Sequence, residues 1–383
     1  MHLLLLSSAL LLPIVASLAS PACTTSLVTG FEAVQGPVTI NTSPTDPFEV
    51  PKLSAINETA WEYWYFDAVS SDGKSGVAIT FFKDPSLAFL GYRNLRVGLD
   101  AVWSNGTKFS TVLFVNESTV TTCGGDTKGI WNQTNEGTNF SFQVSKNLKQ
   151  VDIVVAGPQV SGTFSLKSRD PARYPRGEIV PSSTASLTLG PLIYWNEAIP
   201  AGTVHTSLTL GGVPFSFNGI GGHDRNYAPF IWDFIAQHWY WLRIVTGPYT
   251  AVYWIWTSAI DGKTYTTAFL TKDGVEIFAT TNGIVSWKGK YATMLLQYGA
   301  GVHGSFADNS TGIALRFVDH DCGKSWHFEI QHQNIAFETP HVGTDNHYSR
   351  FVNTASGGQD GEEVWSGVAN SEQNVITAPR PLP

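Results

Sequence analysis

At 383 residues the chain exceeds what one small core needs, and two domains are the natural expectation. Charged residues are sparse at 14 %, aromatics are dense at 13 %, and 36 Gly and 20 Pro interrupt the chain, which points away from a helical protein and toward an all-β one with many turns. The net charge of −8 is mild and no Lys/Arg block occurs, which argues against nucleic-acid binding.

Residues 3–19 form an apolar run ending in Ser17-Leu18-Ala19, in which Ser17 and Ala19 are small residues spaced for cleavage after Ala19. The run is short and carries a processing site, so residues 1–19 read as a secretory signal peptide that is removed, not as an anchor. No later segment is expected to span a bilayer. Seven Asn-x-Ser/Thr sequons follow, at Asn41, Asn57, Asn105, Asn116, Asn132, Asn139 and Asn309, as in a glycosylated protein of the secretory route, secreted or vacuolar. Three cysteines survive cleavage and permit at most one internal disulfide. Cys23 with Cys123 is the preferred pair because both fall in the first half, which leaves Cys322 free. The cysteine spacing fits no zinc pattern.

Residues 23–56 are rich in Pro and Thr and read as an extended surface arm. Trp61-Glu-Tyr-Trp-Tyr-Phe-Asp67, the turn Ser70–Gly73 and the run Gly76–Phe82 predict strand, turn, strand. Glu62, Trp64 and Phe66 share one face, and Trp61, Tyr63, Tyr65 and Asp67 share the other. Further strands are predicted over 94–103, 109–116, 139–145, 150–156, 161–167, 184–189 and 204–210. Their spacing suggests a sandwich or barrel. Residues 168–181 form a long Pro/Arg loop of the kind that often serves as a lid.

Gly219–Gly222 reads as a glycine-rich turn leading into His223-Asp224, with a domain boundary between 220 and 221. The aromatic runs 237–244 and 249–256, joined by Thr246-Gly247-Pro248, predict a hairpin. Trp239, Trp241 and Arg243 share one face of its first strand, and His238, Tyr240 and Leu242 the other. Bulky rings on both faces imply that one fills a core and the other lines a cavity or a second domain. Strands are predicted beyond it over 264–271, 284–287, 291–297, 312–318, 325–332 and 348–353.

No nucleophile elbow, P-loop or dinucleotide fingerprint occurs, so no nucleotide cofactor is expected. Six histidines between His303 and His347 lack the short spacings of a metal site, and no metal is expected. His223-Asp224 has no partner at ligand spacing and reads as a structural hinge. Glu62 sits inside an aromatic strand, where a carboxylate is costly unless paired, with Arg96 or Arg243 as candidate partners, or put to use.

Trp61-Glu-Tyr-Trp-Tyr-Phe-Asp67, Gly221-Gly-His-Asp-Arg-Asn-Tyr227, and Tyr348-Ser-Arg350-Phe351 with Gly357-Gly358 and Gly367-Val-Ala369 stand in one order over residues 61–369. Together they resemble the motifs of the lipocalin-like superfamily that includes carotenoid hydratases of the hydroxyneurosporene-synthase type and the fungal Diels–Alderases. Tyr227 stands where that pattern has Trp. The resemblance implies an N-terminal β-sandwich over 20–220 and a C-terminal lipocalin-like barrel over 221–383, with a pocket between them and no metal or organic cofactor. The leader and sequons suit the branch that resembles fungal hetero-Diels–Alderases, which join a tropolone-derived o-quinone methide to a humulene-type sesquiterpene.

On that reading the chain is a monomeric, cofactor-free pericyclase that holds two apolar small molecules in alignment. Arg96, Arg243, Asn94 and Tyr194 are candidate donors to the heterodiene oxygen, and Glu62 a candidate acid or base. Trp64, Trp239 and Trp241 would stack on the substrates, with Phe351 and Trp365 bounding the cavity. Three alternatives stay open: a decalin-forming intramolecular Diels–Alderase, an isoprenoid hydratase or isomerase using Asp224 or Glu62, and a secreted carrier of an apolar molecule.

Overall fold

The computed structural model describes residues 23–133, 135, 137–305, 308–340 and 347–376. The expected signal peptide over 1–19 lies outside the described residues. Thirteen strands precede a short helix. They are β1 (Cys23–Thr29), β2 (Trp61–Ser70), β3 (Gly76–Lys83), β4 (Leu95–Val102), β5 (Lys108–Phe114), β6 (Glu117–Cys123), β7 (Asp126–Gln133), β8 (Thr138–Val144), β9 (Gln150–Ala156), β10 (Val160–Ser168), β11 (Thr188–Gly190), β12 (Ile193–Leu210) and β13 (Val213–Ala228). All belong to one antiparallel sheet in the order β1-β6-β7-β8-β9-β10-β12-β13-β2-β3-β4-β5, with β11 beside β12. The sheet doubles over on itself. Trp64 of β2 meets Trp131 of β7 edge-on at 5.4 Å, and Phe81 of β3 meets Phe142 of β8 at 5.0 Å. The two layers of the predicted sandwich are thus two halves of one continuous half-barrel.

Helix α1 (Trp232–Ile235) leads into nine strands of a second sheet: β14 (Ala236–Thr246), β15 (Tyr249–Ser258), β16 (Thr264–Lys272), β17 (Val275–Thr280), β18 (Lys290–Gln297), β19 (Gly312–Asp319), β20 (Lys324–Pro340), β21 (His347–Gln359) and β22 (Trp365–Val375). Their order, β17-β16-β15-β14-β22-β21-β20-β19-β18, curls into a nearly closed barrel. Leu242, Ile244, Phe278, Phe317 and Phe328 fill its lumen. The predicted hairpin is β14–β15, with Trp239 opposite Trp256 and Trp241 opposite Trp254.

Three readings are corrected. Gly219–Asp224 is no turn. It lies inside β13, paired with β12 on one side and β2 on the other, so the change of sheet falls at 229–235 and not at 220. The glycines answer to crowding: a Cβ at Gly219 or Gly221 would collide with carbonyl oxygens of β2, and one at Gly222 with the Arg243 guanidinium. Residues 168–181 are no lid, because Arg173 and Tyr174 are wholly buried, and the Arg173 guanidinium pairs with Glu276 of the barrel. Residues 284–287, a strand by composition, lie in a loop, while β17 just before them was not predicted.

Cys23 and Cys123 face each other in the β1–β6 register and are joined by a disulfide, and Cys322 is free and exposed. Asn105, Asn116, Asn139 and Asn309 are exposed. Asn57 is not accessible to a glycan in the folded chain, since it is buried and its amide nitrogen donates to Gly36 O at 2.9 Å. Among the described residues no helix is long and apolar enough to cross a membrane.

Candidate active site

Strand β2 is buried on both faces because it has a neighbour on each. Its Trp64 and Phe66 enter the core of the first sheet, while Tyr63 and Tyr65 look toward the barrel. Opposite them, alternation along β14 directs Trp239 and Trp241 outward from the lumen. A cavity of about 250 Å³ lies between these faces. Tyr63, Tyr65 and Phe82 form one wall, Trp239, Trp241 and Trp254 another, and Trp232 of α1 closes one side. The rings hold one another in place. Trp232 stacks on Trp61 at 4.7 Å and leans on Trp239 at 4.6 Å, and Tyr65 meets Trp241 edge-on at 6.0 Å. Contacts of this kind add about 0.5–1.5 kcal/mol each beyond the area buried.

Strands β21 and β22 supply the polar wall, with Tyr348, Arg350, Glu372 and Asn374. The Arg350 guanidinium donates to Glu372 Oε1 at 3.1 Å, to Asp100 Oδ2 at 3.1 Å and to the Tyr348 hydroxyl. Trp239 Nε1 donates to the other Glu372 oxygen at 3.4 Å. Burial raises the Tyr65 and Tyr348 phenols far above their ordinary range, so both stay protonated donors. The Tyr65 hydroxyl and the indole N–H groups of Trp241 and Trp254 have no hydrogen-bond partner among the described residues.

Asp224 of β13 also lines the cavity. Burial first, and the Glu372 charge second, push its carboxyl well above the ordinary carboxylate range. Its surroundings explain this. Arg243 already pairs with Asp67 and Glu197, and Asp224 stands 3.9 Å from the same guanidinium. Glu197 is raised as well, by burial first and by Asp224 second, so these buried carboxyls around one cation do not all carry a charge. The shift favours the protonated form, in which Asp224 can donate a hydrogen bond into the cavity while Oδ1 accepts one from Asn226 at 3.1 Å.

Of the candidate site residues named from the sequence, Trp239, Trp241 and Asp224 line this cavity, and Glu62, Trp64, Asn94, Arg96, Tyr194, Arg243, Phe351 and Trp365 do not. Glu62 is fully buried on the opposite face of β2, where Lys83 at 2.9 Å and Arg225 at 2.9 Å hold it as a carboxylate below its usual range; neither Arg96 nor Arg243 pairs with it. Trp64 is fully buried, with the Arg225 guanidinium 3.8 Å above its ring. Arg96 pairs with Asp84 at 2.5 Å, and Asp84 accepts the Tyr63 hydroxyl at 2.7 Å, so Arg96 stands one residue behind the wall. Arg243 is likewise behind it, 4.8 Å from the Trp241 ring. Asn94 donates to Glu32 O at 3.0 Å, and Tyr194 stacks on Tyr227 at 5.4 Å. Phe351 points into the barrel and stacks on His332 at 4.0 Å, while Trp365 packs over Gly247. Arg350 and Tyr348 were within reach, because alternation puts both on the face that Phe351 does not occupy. No local signal marked Glu372 or Trp232.

The Diels-Alderase-like family matches residues 20–377. The Diels-Alderase poxQ of Penicillium oxalicum is 36 % identical over 320 residues, covering 83 % of this chain and 71 % of that protein. The Diels-Alderase ffsF of Aspergillus flavipes is 33 % identical over 365 residues, covering 94 % of this chain and 88 % of that one. In fold, the chain is similar to the crystal structure of CghA with Sch210972, with a TM-score of 0.80 at 23 % identity over 93 % of this chain and 100 % of that one. It is also similar to kievitone hydratase from Nectria haematococca, with a TM-score of 0.52 at 12 % identity over 92 % and 96 %. Family match and curated relatives agree over nearly the whole described chain, so this protein is a member of the Diels-Alderase-like family.

Proposed function

We propose that the chain accelerates a [4+2] cycloaddition in the cavity between its two sheets, on an apolar polyene whose dienophile is conjugated to a carbonyl. The observation that carries this is the division of one small cavity into aromatic walls and a donor-bearing wall. The rings of Trp239, Trp241, Trp254 and Tyr65 bound the space available to a folded hydrocarbon. Holding diene and dienophile in register removes entropy before reaction, an effect worth up to about 7–11 kcal/mol in well-aligned systems. Asp224, Tyr348 and Arg350 can donate to the carbonyl oxygen, which lowers the acceptor orbital and stabilises charge that builds up on that oxygen. Two carbon–carbon bonds form and three π bonds become one, with no net proton transfer, so the site needs donors and shape but no acid that gives its proton away. The cavity volume of about 250 Å³ favours a single substrate that carries both partners.

A second reading keeps the chemistry and changes the substrates: an intermolecular hetero-Diels–Alder reaction of a tropolone-derived o-quinone methide with a humulene-type sesquiterpene. The Asp224–Arg350 side supports it, since a heterodiene oxygen accepts hydrogen bonds. With it goes a secretory route for a chain whose leader is removed. The test incubates purified protein with a linear polyenone and, separately, with a hydroxylated tropolone precursor plus humulenol. The leading reading expects faster, stereoselective closure of the polyenone alone. Enhancement confined to the two-component mixture would establish the second, and rates and product ratios equal to protein-free controls in both would refute both.

A further inference from the structure

Residues 284–287 have the composition of a strand, yet 281–289 form a loop between β17 and β18 outside both sheets. Ile284, Val285 and Trp287 are 78 %, 63 % and 94 % exposed. The backbone beneath them is held. Asn282 N donates to Thr280 Oγ1 at 3.1 Å, Ile284 N to Asn282 Oδ1 at 3.0 Å and Ser286 Oγ to Lys288 O at 2.8 Å. From the neighbouring turn, His320 Nε2 donates to Ser286 O at 2.9 Å. A loop pinned in this way presents its apolar side chains to solvent as part of the fold.

The loop and its exit into β18 carry only basic charge, while Glu276 lies before it and Asp319 and Asp321 at the neighbouring turn. Residues 281–290 contain Lys288 and Lys290 and no acidic residue, in a chain of net charge −8. Lys288 is exposed and makes no ion pair among the described residues, while Lys290 reaches Asp319 at 3.5 Å. A stable protein partner would require roughly 800 Å² on each side from about 20–30 residues, far more than a three-residue protrusion offers. A bilayer asks for less: a few apolar side chains that enter the headgroup–acyl boundary, Trp at the headgroup level and Lys beside anionic phosphate.

We propose that the 281–289 loop is a lipid-docking knuckle, in which Ile284, Val285 and Trp287 insert into the interface of a phospholipid bilayer and Lys288 meets its anionic headgroups. The test is flotation of the full chain with vesicles of phosphatidylcholine containing roughly one-third phosphatidylserine, and with vesicles of phosphatidylcholine alone. The wild-type chain is expected to float with the anionic vesicles and less with the neutral ones. Trp287→Ser with Ile284→Ser should lower the bound fraction roughly tenfold, and Lys288→Glu about threefold on anionic vesicles only. These side chains are exposed, so unchanged melting temperatures will verify the fold of each variant. Failure of the wild-type chain to float, or full retention of binding by the double variant, would overturn the proposal. So would a dimer, seen by sedimentation velocity, that Trp287→Ser abolishes, since the surface would then belong to a second copy.

Discussion

Arg350 of β21 and Glu372 of β22 stand directly opposite in register, and the guanidinium Nε donates to Glu372 Oε1 at 3.1 Å on the wall of the cavity. The pair is nearly buried, and the same guanidinium also holds Asp100. Removing the cation would strand two carboxylates, at a cost of about 3–5 kcal/mol. Arg350→Lys is the informative variant, because it keeps the charge and loses the planar fork. If the guanidinium donates to the reacting carbonyl, kcat should fall roughly a hundredfold while most of the stability remains. Single-turnover rates read beside a thermal melt check this. An unchanged rate with a lowered melting temperature would make Arg350 purely structural.

Glu62 gives the opposite expectation. It is fully buried between Lys83 and Arg225, on the side of β2 away from the cavity. Glu62→Gln leaves two cations short of a charge partner and should cost about 3–5 kcal/mol. Activity per folded molecule should stay near that of the wild type. Denaturant melts combined with active-site-normalised rates test both halves. A large loss of kcat in the folded fraction would return Glu62 to the chemistry.

Asp224 separates cycloaddition from hydration. Burial first, and Glu372 second, shift its carboxyl toward the neutral form. Asn is isosteric, neutral and still a donor, so Asp224→Asn should keep the cycloaddition rate within about tenfold. The wild-type rate should decline as pH rises through the raised carboxyl pKa, and the variant's should not. A hydratase would need the proton itself and would lose about 10²–10⁴-fold.

His332 predicts acid sensitivity. It is buried in the barrel, bonded to Asn353 at 2.6 Å, and burial lowers its pKa to about 4 from an ordinary 6.5. The unfolded chain therefore binds the proton more readily than the folded one. The stability tied to the neutral ring is complete above pH 6.5 and is lost as pH falls toward 4, up to roughly 3 kcal/mol. His332→Gln should flatten the dependence of melting temperature on pH between these limits. An equal slope in both proteins would rule His332 out as its source.

The three motifs quoted from the sequence all fall on strands of the two sheets, and each gives the cavity wall two residues: Tyr63 and Tyr65, Asp224 and Asn226, and Tyr348 and Arg350. The face assignments along β2 and β14 also hold: Trp239, Trp241 and Arg243 share a side, as do Tyr63 and Tyr65. Legibility stops at the question of which side faces what. Trp64 and Glu62 look functional in the sequence because a carboxylate among rings is unusual, and only the arrival of Arg225 from β13 and Lys83 from β3 makes them core. Gly219–Gly222 reads as a turn because its glycines look like chain reversal, whereas here they allow close strand approach.

Composition and local alternation thus determined the all-β class, most of the strands and the aromatic hairpin, because those depend on period-two patterning within a few residues. Which residues make up the polar wall of the cavity was decided by tertiary structure alone. Asp224, Arg350 and Glu372 come from strands as much as 148 residues apart, since Asp224 and Glu372 bound that span. Their convergence, and the upward shift of the Asp224 carboxyl, follow from long-range pairing that sets β13 and β2 against β14, β21 and β22. No window of neighbouring residues encodes the burial and the crowding of charges that this pairing creates.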